Sequence, residues 1–254
     1  MRIAVVANTA WYLYNFRLTL MRTLAAAGHE VVAIAPADGR HEQRIVEAGI
    51  EFVSIPLEGA GTNPAIELLS VRALHKALRD RRAQLVLSYT PKGNLYSALA
   101  AIALRIAFVP NISGLGRVFI RTSPATVVAK LLYRMTLSRA RRVFFQNEED
   151  LELFVRSRLV PASLSQRLPG SGVDLRRFVA LAMPARPPHE SVFLLVARML
   201  WDKGIGEFVE AAREVRTRYP ATSFRLLGFV DVANPSAIPR EQIMDWVASG
   251  LIGY

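Results

Sequence analysis

The sequence has no cysteine, which excludes a disulfide framework and any thiolate metal site and fits a reducing compartment. Histidine is scarce, with only His29, His41, His75 and His189. None stands at a spacing that suggests a Ser-His-Asp arrangement, and each reads as structural or solvated. Long apolar runs are missing. The most apolar stretch, Ala98 to Val109, is interrupted by Arg105 and closed by Pro110, short of the ~20 residues that a membrane-spanning helix requires. At the N-terminus, Ile3 to Ala7 follows Arg2 and gives way to Asn8 and Thr9. That is the pattern of a buried strand rather than of a signal peptide. A cytoplasmic protein is expected.

Acids are the minority: 21 Asp and Glu stand against 32 Lys and Arg, for a net charge of +11. Between Arg117 and Arg142 there is no acid, but there are Arg117, Arg121, Lys130, Arg134, Arg139, Arg141 and Arg142. Such a balance attracts nucleic acid, anionic lipid or phosphorylated ligands. Nucleic-acid binding by stacking wants aromatic platforms among the cations. The basic stretch offers only Phe119 and Tyr133, so nucleic acid is not expected as a partner. A solvated helix face remains the plain alternative for the charges. With 52% hydrophobic residues the chain is not disordered.

What is present is a strand-helix rhythm. Strands are read at Ile3–Ala7, Glu30–Ala35, Ile50–Ile55, Gln84–Ser88, Ile106–Ile112 and Arg142–Gln146. Helices are read at Phe16–Ala27, Glu42–Ala48, Pro64–Arg81, Gly93–Leu104, Thr126–Ser138 and Glu148–Val160, the last capped by Asn147. The rhythm predicts a parallel sheet with helices on both faces. Ligands of such folds sit beyond the C-terminal strand ends, here at Asn8–Asn15, Tyr89–Asn94 and Ser113–Gly116. A Pro- and Gly-rich region follows, and the rhythm restarts with strand Val192–Ala197, helix Gly206–Tyr219 and strand Ser223–Leu227. The expected division is a domain over 1–170, a linker over 171–190 and an incomplete domain over 191–254. Residues 191–254 amount to about half of a doubly wound domain of ~100–150 residues. A further strand begins near Gly253, and a truncated or unusually short chain is inferred.

The strongest motif is Ala197-Arg198-Met199-Leu200-Trp201-Asp202-Lys203-Gly204. A strand runs into a loop with two cations, and then a helix opens. That arrangement suits a diphosphate: Arg198 offers a forked contact, Lys203 a compact charge, and the amides after Gly204 the positive end of a helix. Taken alone, the same cations also fit an ordinary charged surface.

The run from Arg198 to Gly204 resembles the R-x4-K-G signature of family 4 retaining glycosyltransferases. Gly172-Val173-Asp174 with Phe178 is similar to that family's N-G-V-D-x-x-x-F segment, and Phe145-Gln146-Asn147 to its strand end. Asn15-Phe16-Arg17, Asn111 to Phe119, and Leu227-Gly228-Phe229 through Trp246 look closer to one branch. That branch transfers N-acetylhexosamine to polyprenyl-diphosphate-linked sugars in bacterial glycan assembly. The resemblance covers essentially the whole chain.

It implies a GT-B fold, with a Rossmann-like N-terminal domain on the acceptor side and a nucleotide-sugar domain after it. It implies that Arg198 and Lys203 hold the donor diphosphate and stabilise the leaving group, where negative charge develops. No metal or other cofactor is then expected; no D-x-D motif stands in a fitting loop, and Asp202 reads as an ion-pair partner. Two departures matter. A histidine common in the family is replaced here by Ser113, which either donates a hydrogen bond to the sugar or is an ordinary turn serine. The family's E-x7-E carboxylates, which bind the donor's sugar and ribose, have no counterpart before Tyr254. The chain as written is therefore expected to bind nucleotide weakly and transfer sugar poorly or not at all.

Further candidates carry open alternatives. Asn15 reads as the cap of a helix with Arg17 in its first turn, where a cation opposes the helix dipole unless an anion binds. Both are candidates for phosphate contact or for plain surface. Gly114 and Gly116 allow a ligand close to the backbone or form a turn, and Lys92 and Asn94 share that ambiguity. Arg117, Arg121, Lys130 and Arg134, interleaved with apolar residues, suit an anionic membrane surface, although several of the apolar residues face the core. The expectation is a peripheral enzyme at the inner membrane face, with a UDP-sugar donor and a lipid-diphosphate-linked acceptor. The alternative is a truncated, non-catalytic module binding lipid or a partner transferase.

Overall fold

The computed structural model describes residues 1–58, 63–114, 124–182, 191–231 and 234–254. It divides into two compact units, Met1–Val179 and Ala180–Tyr254. Residues 171–179, read from the sequence as linker, belong with the first unit.

The first unit is a seven-stranded sheet in the order β3-β2-β1-β4-β5-β6-β7, parallel at every pairing. β1 (Arg2–Val6) and β2 (Glu30–Ala35) are short apolar runs buried along nearly their whole length, as strands covered on both faces must be. Alternation along β1 turns Ile3 and Val5 to one face and Ala4 and Val6 to the other. Each set joins a separate core. One contains Leu13 and Met21 of helix α1 (Ala10–Ala26) and Ile45 of α2 (His41–Glu47). The other contains Leu74 and Leu78 of α3 (Pro64–Asp80), Ala98 and Ala101 of α4 (Pro91–Leu104), Tyr133 of α5 (Pro124–Leu137) and Phe154 of α6 (Glu148–Arg156). The remaining strands are β3 (Glu51–Ser54), β4 (Leu85–Tyr89), β5 (Ala107–Ile112), β6 (Val143–Phe145) and β7 (Ser165–Arg167).

β1 has β2 on one side and β4 on the other, so the chain's direction of travel across the sheet reverses at β1. The connections leaving β1 and β4 run to opposite faces, which opens a crevice at their C-terminal ends.

α1 begins six residues earlier than the sequence pattern indicated. Its cap is Thr9, whose Oγ1 accepts the Tyr12 amide at 3.1 Å. Asn15 is therefore interior to the helix, donating to the Trp11 carbonyl at 2.9 Å. Arg17 lies two turns in, and the argument that it opposes the dipole at a helix start falls. The capping role read for Asn147 is present: its Oδ1 accepts the Asp150 amide at 2.7 Å.

In the second unit β8 (Val192–Val196) pairs in parallel with β9 (Ser223–Leu227). The crossover is α7 (Ile205–Arg218). A helix not anticipated from sequence, α8 (Arg240–Ala248), completes a core of Met199, Ile205, Val209, Phe224, Leu226 and Ile243. Gly253 donates to the Phe224 carbonyl and accepts from Leu226, both at 2.8 Å. It is the parallel strand start read near the end of the sequence.

Candidate functional site

The motif at Arg198–Gly204 folds into a strand-loop-helix. After β8 the chain makes a 3-10 turn at Trp201–Lys203, and Gly204, at φ 73°, swings it into α7. That left-handed conformation is accessible to glycine without strain. Among the described residues no side chain caps α7, so its first amides keep their hydrogen-bonding capacity. The loop is pinned from below: the Met199 amide bonds the Phe229 carbonyl at 3.1 Å, Trp201 that of Ser236 at 2.9 Å, and Ile238 that of Met199 at 3.0 Å. Arg198 and Lys203 stand exposed at this corner, and among the described residues neither makes an ion pair. Asp202, read as an ion-pair partner, also makes none among them. Two cations and a helix start without a side-chain cap thus stand on one strand-loop-helix corner, and these are the elements that anion binding draws on.

A second feature lies in the first unit, in the crevice beyond β1, β4 and β5. Arg17 is 5% exposed. One Nη donates to Tyr12 Oη and to Ser171 Oγ, both at 2.9 Å, and the guanidinium lies 4.1 Å from the centre of the Tyr89 ring. Burial pushes the Tyr89 phenol above its ordinary pKa, with the Arg17 charge acting against that shift. Tyr89 and Asn111 are register partners on β4 and β5, so both side chains project on the same side. Arg17, Tyr89, Asn111 and Ser171 line a cleft of about 770 Å³ that also receives Trp11, Arg22 and Arg177. The sequence pointed to Arg17 and to the loop that opens at Tyr89, but singled out neither Asn111, near the end of a predicted strand, nor Ser171.

The other candidates scatter. Lys92, in the first turn of α4, pairs with Glu67 at 2.6 Å, and Tyr96 Oη shares that carboxylate. Asn94 is 1% exposed and donates to the Asn111 carbonyl at 2.9 Å, so it ties α4 to β5. Ser113 is exposed and Gly114 half-buried just after β5. Lys130 and Arg134 are exposed on α5. Gly116, Arg117 and Arg121 lie outside the described residues. Among those described, no group of three or more His, Asp or Glu could hold a metal ion, and no helix is long and apolar enough to cross a membrane.

Residues 16–170 match the model of the glycosyl transferase 4-like domain. The chain is 25% identical, over a 269-residue alignment, to the N,N'-diacetylbacillosaminyl-diphospho-undecaprenol alpha-1,3-N-acetylgalactosaminyltransferase of Campylobacter jejuni, covering 100% of this chain and 69% of that protein. It superposes on a glycosyltransferase from Rickettsia africae with TM-score 0.69 at 16% identity, over 98% of this chain and 64% of that one. It superposes on Anabaena HepE, solved with UDP-glucose, with TM-score 0.70 at 14% identity, over 99% and 66%. The chain thus spans just under two thirds of these two solved structures, and at such identities the likeness speaks for the fold.

Proposed function

The chain belongs to the glycosyl transferase 4-like family, and from that premise we propose that it transfers a sugar from a UDP-sugar to a lipid-diphosphate-linked saccharide. The observation that carries this reading is the corner of the second unit. Arg198 and Lys203 stand without ion-pair partners among the described residues, beside the uncapped start of α7.

In the transfer, the bond between the anomeric carbon and the donor diphosphate breaks, and the nucleoside diphosphate leaves with the bonding electrons. The acceptor hydroxyl oxygen bonds the anomeric carbon, and its proton passes to the departing diphosphate. Charge grows on the leaving diphosphate, so fixed cations there lower the barrier. Arg198 and Lys203 supply that charge without a metal. HepE binds UDP-glucose and the Campylobacter relative is named for transfer of N-acetylgalactosamine to a diphospho-undecaprenol-linked sugar. The first supports a UDP-sugar donor, and the second an N-acetylhexosamine as the sugar and this acceptor class.

The acceptor's lipid places the reaction at a membrane surface, and α5 suits that surface. Val127, Val128, Leu131 and Met135 are each more than half exposed and fall within an arc of about 100° at 3.6 residues per turn. Exposed Lys130 and Arg134 flank them. Apolar side chains beside cations are the elements of interfacial docking on anionic lipid.

The test is transfer by the purified chain. UDP-N-acetylhexosamine is mixed with a polyprenyl-diphosphate sugar, and the acceptor is followed by mass spectrometry with and without EDTA. Gain of one N-acetylhexosamine, insensitive to EDTA, supports the reading even at the low rate expected from the sequence. No gain, with UDP and vesicle binding intact, would leave the non-catalytic binding module as the reading.

A further inference from the structure

Among the described residues, Arg17 is a buried cation without an anion. It is 5% exposed, its Nε has no hydrogen-bond partner, and no carboxylate pairs with it among the described residues. Its companions are neutral: the hydroxyls of Tyr12 and Ser171 at 2.9 Å and the face of Tyr89 at 4.1 Å. A buried charge is costly unless paired, and the rings of Tyr89 at 4.1 Å and Tyr12 at 5.5 Å offset only part of that cost. The acid nearest in sequence to its partners, Asp174, is committed elsewhere. Asp174 accepts the amides of Arg176 and Arg177 at 2.9 and 3.3 Å.

The surroundings point the same way. Arg22 and Arg177 line the same cleft, which among the described residues has three arginines against one acid, Asp174. Asn111, 6% exposed, carries an Oδ1 with no partner among the described residues, an acceptor that a sugar or phosphate hydroxyl would satisfy. The cleft lies at the C-terminal ends of β1, β4 and β5, where the strand order reverses, the position at which parallel α/β sheets take ligands.

We infer that this cleft is a phosphate site, with Arg17 as its anchor and Asn111 as a hydroxyl acceptor beside it. The two phosphate sources open to it are the diphosphate of the lipid-linked acceptor and that of a free nucleotide. The naming of the acceptor rests on the proposed function; the phosphate site does not.

The test is calorimetric titration of the full chain with inorganic pyrophosphate, farnesyl diphosphate and UDP. Arg17→Met is compared with wild type and with an Arg198→Ala, Lys203→Ala double variant. Arg17→Met should weaken farnesyl diphosphate by about tenfold or more, while the double variant leaves that binding in place. UDP binding unchanged in Arg17→Met assigns the site to the lipid-linked diphosphate; a parallel fall in UDP assigns it to the nucleotide. The melting temperature of Arg17→Met should not drop, because the lost charge had no partner. If it does drop, the near-isosteric Asn111→Asp, which keeps Arg17 and sets a carboxylate in the cleft, should weaken farnesyl diphosphate comparably. Diphosphate binding that is absent, unchanged by both substitutions, or removed only by the double variant would overturn the inference. Sugar transfer is not read in any arm, so loss of the enzyme reading leaves this outcome separately visible.

Discussion

A Cβ placed on Gly228 would stand 1.6 Å from the carbonyl oxygen of Ala197. The two lie where β9 and β8 end, joined by the Ala197 amide bonding the Leu227 carbonyl at 3.0 Å and the Met199 amide bonding that of Phe229 at 3.1 Å. The obstacle is backbone, so Gly228→Ala must part the strand ends rather than move a side chain. Destabilisation of about 1–3 kcal/mol or more is expected, as for overpacked interiors. Arg198 follows Ala197 directly, so UDP affinity should fall with stability. Thermal unfolding and UDP titration of the one variant check both.

Substitution at the cation corner should separate binding from fold. Arg198 and Lys203 are exposed and make no ion pair among the described residues, so Arg198→Ala and Lys203→Ala should leave the melting temperature nearly unchanged. Transfer should fall by about 10²–10³, the loss typical of one fixed charge or donor at a developing oxyanion. Arg198→Lys restores charge but not the two-pronged contact, and partial recovery is expected. Steady-state transfer rates on a UDP-sugar decide it; unchanged rates would remove these residues from the chemistry.

Much of this was legible in the sequence for a physical reason. β1, β2 and β4 are apolar runs that only a sheet covered on both faces would bury, and Arg198, Lys203 and Gly204 are neighbours in sequence. What escaped was assembled at a distance or carried no pattern. The start of α1 was misplaced because Asn15 is as good a cap type as Thr9, and only the backbone decides between them. β7 is Ser165-Gln166-Arg167, an edge strand without an apolar residue to betray it. The cleft joins residues 17, 89, 111 and 171, which no local spacing connects.

The start of α2 carries a pH signature. Asp38 accepts the His41 amide at 2.7 Å, the Arg40 amide at 3.1 Å and the His41 ring at 2.8 Å. Burial would raise its pKa, but these bonds outweigh that and hold it at about 2, below its ordinary 3.8. A depressed folded pKa means stability present above pH ~4 and lost as pH falls toward 2. Asp38→Ala should therefore cost about 1 kcal/mol at neutral pH, as for a lost helix cap. The difference from wild type should shrink between about pH 4 and 2, which melting temperatures across that range measure.

The exposed face of α5 makes the most direct claim about location. Leu131 and Met135 are 56% and 53% exposed, while Tyr133 and Leu137 of the same helix are buried. Leu131→Glu and Met135→Glu therefore remove no core contact and should shift stability by no more than about 0.5 kcal/mol. If the face enters a membrane interface, each substitution removes an apolar anchor and sets a carboxylate against anionic headgroups. Sedimentation with vesicles containing anionic lipid should then fall by about tenfold or more for the pair, since each charge near such a surface is worth about 1 kcal/mol. Lys130→Gln with Arg134→Gln should weaken the same binding and reduce its dependence on salt. Transfer to a short-chain soluble acceptor should be unaffected by all four substitutions, while transfer to the long-chain acceptor in vesicles falls. Equal losses on both acceptors would show that α5 serves the fold or the site rather than the membrane.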